Sequence, residues 1–364
     1  MDTLQIDIDD HKLHQHPLEV AKWLQGHESW ETAKTLYPIY IEISPYGGCN
    51  FRCSFCAKDF LKYKPTKIAV PVLKKSLSVM KQKGVKSVLF AGEGEPLLYK
   101  ELAEIFEHGA QVGIDMALNS NFAVDNPSAL QAAARHARWI RASVNAGTPE
   151  EHQEVHQCSP KAFDKVFENL ALTVEERNRS GSSTTIGTQA VLLENNKDSM
   201  IQLARRARAV GVNYLVIKPY SQHPESLTHQ HENTDYRRAG DLADLLRREE
   251  TEKFRVYFRT SAFERARSHQ HSYGHCFSVP VFWAYIRSNG DVGGCNAFLT
   301  DPKFRFGNLN DEDFDRIWEG EGRRANFEHM KSHDISRCRL NCRMEKVNEY
   351  LWKLKNPSTH VNFI

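Results

Sequence analysis

Three cysteines, Cys49, Cys53 and Cys56, stand at C-x3-C-x2-C spacing in the run Cys49-Asn50-Phe51-Arg52-Cys53-Ser54-Phe55-Cys56. A loop this short brings three thiolates within reach of one inorganic centre. Three are one too few to close a tetrahedral zinc site, and no further Cys or His lies between Cys56 and His108. A cubane [4Fe–4S] cluster has four irons, so three thiolates leave one iron open to another ligand. A structural group of thiols without metal also fits the spacing.

A second set follows far along the chain. Cys276 is followed by thirteen residues, Gly290, four residues and Cys295, and Cys338 and Cys342 lie further on at C-x3-C spacing. Val281 to Ile286 alternates as a strand, and Asn289-Gly290 supplies a hairpin turn. Four thiolates suit either structural zinc or a fully ligated [4Fe–4S] cluster, and spacing does not separate the two. Cys158 stands alone, and reads as a buried inert thiol or as a hydrogen-atom donor.

The elements that must position these groups alternate. Strands are expected at 39–43, 87–90, 115–118, 139–144, 185–193 and 214–218. Helices are expected at 72–83, 101–112, 128–136, 163–178 and 199–209. The alternation implies parallel strands joined by right-handed crossovers, hence an α/β fold with a partial (β/α)6 TIM-type barrel open on one side. Chemistry in such barrels sits at the C-terminal strand ends, where the first cysteine loop falls. Other strand ends carry Glu93-Gly94-Glu95-Pro96, Asn119-Ser120-Asn121, Ser143-Val144-Asn145 and Lys218-Pro219-Tyr220-Ser221-Gln222-His223. Lys218 can bind a carboxylate or phosphate, Tyr220 and His223 can hydrogen-bond a polar substrate, and Glu93 is a candidate base. The histidine-bearing run 221–233 reads as a solvated linker. A charged helix at 235–250 and a strand at 254–258 follow it.

The first loop, with Phe55 at its aromatic position, resembles the signature of the radical SAM superfamily. The resemblance covers about residues 39–345. It implies a [4Fe–4S] cluster on Cys49, Cys53 and Cys56 whose open iron chelates S-adenosyl-L-methionine, which is then cleaved reductively to a 5′-deoxyadenosyl radical. Gly94-Glu95-Pro96 match the family's turn for the methionine amino group, with Glu93 in place of a glycine. Asn119, Ser143, with Asn145 in place of an aspartate, and Gln189, Lys218 and Phe55 fall at positions expected around the cosubstrate, Ser143 facing the ribose. The C-terminal region, with Phe306-Gly307-Asn308-Leu309 and Phe314 to Trp318, is similar to the SPASM extension. It lacks three of that pattern's seven cysteines. This implies the shortened Twitch form, a small α+β domain with a β-hairpin and a second, auxiliary [4Fe–4S] cluster on Cys276, Cys295, Cys338 and Cys342.

The whole chain sets bounds. Its 364 residues allow about two domains. Expected boundaries are an N-terminal extension (1–38) covering one barrel end, the barrel (39–232), a linker (233–272), the Twitch/SPASM domain (273–346) and a tail (347–364). A formal net charge of +2 makes no case for nucleic acid or membrane as a partner. No apolar run approaches the ~18 residues of a span. Met1-Asp2-Thr3-Leu4 carries no signal-peptide pattern, and clustered cysteines suit a reducing cytoplasm. The expected activity is hydrogen abstraction from a polar small molecule such as a sugar, cyclitol or nucleotide sugar. Oxidation of an alcohol or amine is favoured, with flavodoxin or ferredoxin as reductant. Peptide modification, epimerisation through Cys158, and a non-enzymatic iron–sulfur carrier are the alternatives.

Overall fold

The structure, a computed structural model, describes residues 8–279 and 281–363. The chain start Met1–Leu4, where a signal-peptide pattern was sought, lies outside them. Ten strands form one sheet: β1 (Tyr40–Ile43), β2 (Ser87–Phe90), β3 (Asp115–Ser120), β4 (Ala137–Ser143), β5 (Thr185–Leu192), β6 (Tyr214–Pro219), β7 (Arg255–Phe258), β8 (Trp283–Ile286), β9 (Asp291–Gly293) and β10 (Arg305–Asn308). Their order is β10-β9-β8-β1-β2-β3-β4-β5-β6-β7. β1 to β7 pair in parallel in chain order, as the alternation predicts. The expected strand at 254–258 joins β6 as a seventh parallel strand.

The hairpin extends this same sheet. β8 pairs in parallel with β1, with Tyr40 opposite Trp283 and Glu42 opposite Tyr285. β9 then turns back antiparallel, and β10 pairs with it. The second cysteine region thus grows out of the barrel's first edge.

Period-two alternation gives the parallel strands two unlike faces. Ile41, Ile43, Val88, Phe90, Met116, Leu118, Ile140, Ala142, Leu215 and Ile217 pack with the helices in the main core. Each such fully buried large side chain contributes about 1.5–3 kcal/mol. The helix Val70–Gln82 sends Leu73, Leu77 and Met80 into this core at one-turn spacing. The helices Leu102–Val112 and Met200–Val210 stop where Gly113 and Gly211 take left-handed φ values of 76° and 89°. The opposite face, carrying Tyr40, Glu42, Leu89, Ala117, Asn119, Trp139, Arg141, Ser143, Gln189 and Lys218, lines the barrel interior.

Two features go beyond the expected strands and helices. The N-terminal segment packs on the C-terminal part of the chain: Leu13, Val20, Trp23 and Leu36 cluster with Val281, Phe282 and Leu351. Trp318 Nε1 also donates to the Leu36 carbonyl at 2.7 Å. The other concerns the segment after β4, where a helix not expected from the sequence, Pro149–His156, forms. The Thr148 hydroxyl caps it by accepting from the Glu151 N–H at 3.3 Å. It buries His152, Val155 and His156 although their spacing carries little apolar signal.

Candidate active site

The first cysteine loop is gripped from three sides. The Arg52 and Ser54 N–H groups donate to the carbonyls of His156 and Val155 at 3.1 and 2.9 Å, so the loop caps the open C-terminal end of the helix Pro149–His156. From β2, the Glu95 N–H donates to the Gly48 carbonyl at 2.9 Å. Gly94 fits so closely that a Cβ there would stand 2.4 Å from the Tyr46 oxygen and 2.5 Å from the Gly48 oxygen.

The third grip comes from the run 221–233, which is no solvated linker. Asp59 accepts from the Ser226 hydroxyl and from the Leu227 and Thr228 N–H groups at 3.0–3.1 Å. His231 Nε2 lies 2.9 Å from the Ser54 hydroxyl, and His223 and His231 are both buried. The polar composition serves hydrogen bonds to the cysteine loop, a use that local sequence does not reveal.

Burial pushes the three thiols up, Cys49 to about 12, with Glu95 and Cys56 raising it further. Cys53 is raised by burial, then by Cys56 and Cys49, and burial raises Cys56 as well. His156 Nδ1 stands 3.1 Å from Cys53 Sγ. Its Nε2 accepts from the Asn145 N–H at 3.3 Å. That bond fixes the proton on Nδ1, which therefore donates to the sulfur. His156 was visible in the sequence only as a neighbour of Cys158; nothing in its spacing points to Cys53.

The remaining strand-end residues divide into committed and open groups. Glu95 accepts from the Leu97 N–H (2.9 Å), the Ser120 hydroxyl (2.6 Å) and the Asn121 N–H (2.8 Å), and burial raises it to about 6. It ties β2 to β3, Oε1 accepting two of these bonds and Oε2 one, and Pro96, buried beside it, starts the short turn 96–98. Asn145 spends its oxygen on the Val191 N–H at 2.6 Å and its amide on His156 at 3.2 Å. Glu93 accepts from the Ser288 N–H at 2.8 Å and pairs with Arg287 at 3.3 Å, binding β2 to the hairpin. The His223 ring stacks on Phe60 at 5.0 Å, accepts from the Glu225 N–H and donates to the Asn296 carbonyl. Both its nitrogens are used, and burial lowers it to about 3. As placed, neither Glu93 nor His223 is free to move a proton.

Cys158 Sγ lies 3.5 Å from His152 Nδ1, beside Cys53, and burial raises the thiol to about 11. The Tyr220 hydroxyl donates to Gln222 at 2.7 Å and keeps its acceptor side. The Tyr220 ring packs with Phe55, Val155, Val191 and Leu193. Among the described residues Asn119 Oδ1 is buried with no partner, and Gln189 accepts a 3.4 Å bond from Arg141. Asn119 stands opposite Arg141, and Ser143 opposite Gln189, in strand register. Asn119, Ser143, Gln189, Lys218 and Phe55 thus line the space below the loop.

The four later cysteines also gather. Cys276, Cys295 and Cys338 pack around Val279, Phe298, Phe304 and Met330, and Cys342 lies against Trp283, Tyr285 and Met344. Burial raises Cys295 to about 11 and also raises Cys338 and Cys342, and Cys276 adds to the rise of each. Sulfur bonds come from Asn348 Nδ2 to Cys276 at 3.4 Å and from the Ala297 N–H to Cys295 at 3.4 Å; His333 Nε2 lies 3.4 Å from Cys338. Among the described residues no three His, Cys, Asp or Glu side chains meet closely enough to share one metal ion. Within each set the thiols feel one another's charge, as cysteines gathered around one cluster would. One residue joins the two sets. Lys58, two residues past Cys56, donates to the carbonyl of Asn296, next to Cys295.

A partial α/β barrel with three cysteines after its first strand, continued by a four-cysteine region, defines a two-centre iron–sulfur protein. Residues 43–207 match the Radical SAM superfamily model, and residues 276–343 match the SPASM model of an iron–sulfur cluster-binding domain. The chain is a radical SAM protein with a SPASM-type C-terminal domain. The groups these domains imply are S-adenosylmethionine, one [4Fe–4S] cluster and an auxiliary cluster. Its sequence is 26% identical over 201 residues to GTP 3′,8-cyclase of Rhizobium etli, covering 53% of this chain and 55% of that protein. It is 25% identical over 227 residues to the S-adenosylmethionine-dependent nucleotide dehydratase of Lacinutrix mariniflava, covering 59% and 45%. The chain spans about half the length of these curated relatives. In fold it is similar to Streptococcus suis SuiB bound to precursor peptide SuiA, with TM-score 0.66 and 19% identity over 95% of this chain and 78% of that one. It is also similar to anSMEcpe with bound AdoMet, with TM-score 0.58 and 19% identity over 86% and 88%. Among the described residues no helix is long and apolar enough to cross a membrane.

Proposed function

We propose that the chain abstracts a hydrogen atom from a polar small molecule held in the barrel interior and oxidises an alcohol or amine there. When bound, the first cluster and S-adenosylmethionine supply a 5′-deoxyadenosyl radical, and the second cluster supplies an acceptor for the substrate's remaining electron. Cys49, Cys53 and Cys56 hold the first, and Cys276, Cys295, Cys338 and Cys342 the second. The Gly94–Pro96 turn, Asn119, Ser143 and Gln189 shape the cosubstrate's place, and Phe55 with Tyr220 closes it against water.

The observation that carries this reading is the Lys58 bond to Asn296, which locks the two cysteine regions to one interior. That interior carries hydrogen-bonding side chains on β3, β4, β5 and β6, as a small polar substrate requires. Relatives named for nucleotide chemistry accord with such a substrate. The reductant is a flavodoxin or ferredoxin, and the compartment the cytoplasm. The domain limits proposed are those expected from the sequence, with β8 to β10 attached to the barrel sheet.

The test is anaerobic incubation of reduced, reconstituted protein with deuterated candidate alcohols and amines. Deuterium in 5′-deoxyadenosine together with a carbonyl or imine product is the expected outcome. Turnover of peptides alone would overturn the small-molecule assignment and favour the activity class that the SuiB and anSMEcpe folds also serve.

A further inference from the structure

The interior carries a set of positive charges that the reading above leaves unused. Lys218 lies on β6 and Arg141 on β4. Arg259 follows β7. Arg339 and Arg343 each stand one residue past a cysteine of the second set. Backbone and side-chain bonds place them together. The Arg259 N–H donates to the Ile217 carbonyl at 3.0 Å, beside Lys218. Arg339 forks onto the Ser221 carbonyl, with Nη2 at 2.6 Å and Nε at 3.1 Å, just beyond the end of β6. Arg343 reaches Glu42 of β1 at 2.9 Å, and Arg141 leans over the Trp139 ring at 4.7 Å. Behind the larger effect of burial, all four arginines push the Lys218 ammonium below its usual range.

The charges do not balance. Arg343 has Glu42, and Arg259 has Asp9 at 3.1 Å. Lys218, Arg141 and Arg339 have no carboxylate partner among the described residues; Arg141 and Arg339 bond only neutral oxygens. Unpaired cations enclosed by protein are expensive unless an anion joins them. These three keep part of their surface accessible, as groups lining a chamber do. Across the chamber, the buried Tyr285 hydroxyl and Trp283 Nε1 have no partner among the described residues, and β8 places Tyr285 opposite Glu42.

We propose that this chamber binds a diphosphate-type anion, so that the substrate is a phosphorylated small molecule anchored by Arg141, Lys218 and Arg339. A lone carboxylate would meet one of these three groups; a diphosphate, with several oxygens and more than one negative charge, can meet both guanidinium groups and favours the charged form of Lys218. The guanidinium N–H groups that Arg339 does not spend on Ser221, and that Arg141 does not spend on Tyr214 and Gln189, suit phosphate oxygens in particular. The proposal rests on the interior being the substrate site, and it narrows the substrate class there.

Calorimetric titration of the anaerobically reconstituted full chain with inorganic pyrophosphate tests it. Saturable binding at one site per chain is expected, with orthophosphate weaker and acetate without detectable heat. Arg339→Gln should weaken pyrophosphate about tenfold or more, the size of one charge-assisted contact, and Arg339→Lys should restore part of the loss. The exposed Arg238→Gln should change nothing. Far-UV circular dichroism checks folding; if Arg339→Gln misfolds, Lys218→Met and Arg339→Lys carry the comparison. Absence of saturable binding, or equal binding by wild type and the interior variants, overturns the proposal. So does loss of pyrophosphate binding on saturation with S-adenosylmethionine, which would assign the cations to the cosubstrate. Pyrophosphate binding without 5′-deoxyadenosine formation would retain the anion site and remove the functional reading. The reverse result would do the opposite.

Discussion

Arg343 Nη2 stands 2.9 Å from Glu42 Oε2, tying the inward face of β1 to the segment that carries Cys338 and Cys342. Glu42 is buried, whereas Arg343 keeps 37% of its side-chain surface open. The bond therefore closes the C-terminal cysteine segment over the barrel interior. Glu42→Gln should lower stability by about 1–2 kcal/mol, less than a fully buried pair would lose. Urea unfolding of the reconstituted protein reads this directly, and Glu42→Gln should also loosen the second cluster before the first.

His156 predicts a change in redox behaviour. Its Nδ1–H donates to Cys53 sulfur, and such a bond favours the reduced, more negative cluster. His156→Leu should shift the first cluster to lower potential by roughly 40–60 mV, the equivalent of about 1–1.4 kcal/mol for one electron. Redox titration followed by electron paramagnetic resonance checks this; the second cluster's potential should stay in place.

Gly94 predicts a steric effect. A methyl group there meets the backbone oxygens of Tyr46 and Gly48, which cannot rotate away. Gly94→Ala should cost about 1–3 kcal/mol by overpacking and should displace the cysteine loop. Lower iron occupancy after reconstitution, alongside a lower melting temperature, is the expected pair of observations.

His152 predicts an acid limit. Burial lowers it to about 4, and its Nε2 has no partner among the described residues. The unfolded ring titrates near 6.5, so the unfolded state binds the proton first. Stability is then full above about pH 6.5 and is lost as pH falls toward 4, by about 3 kcal/mol from this residue. His152→Leu should flatten that part of the stability–pH curve relative to wild type, as read by chemical denaturation at stepped pH.

Much of the barrel was legible because it rests on local rules. Strands β1 to β7 follow from alternating apolar runs, and the cysteine loop falls at a strand end because β1 precedes it. What local pattern does not encode is the partner chosen across the fold. Glu93 and His223 were expected as catalytic candidates and Glu95 and Asn145 as cosubstrate contacts, yet only the fold shows that each also bonds backbone or neighbouring side chains. The parallel pairing of β8 with β1 joins residues about 240 apart, and no turn signal announces it. His156 and the run 221–233 gained their roles in the same way, by meeting the cysteine loop from a distance. No local pattern links Arg339 and Arg343 to Lys218, since only the fold brings them to one interior.

The central claim is that the loop of Cys49, Cys53 and Cys56 supports reductive cleavage of S-adenosylmethionine while a second cluster sits on the four later cysteines. The most direct measurement is 5′-deoxyadenosine formation by anaerobically reconstituted, reduced protein, with iron counted on the same sample. The expected result is product from a chain holding about eight irons, and about four irons with no product for the Cys53→Ala variant. Absence of 5′-deoxyadenosine from wild-type protein with both clusters intact would contradict it.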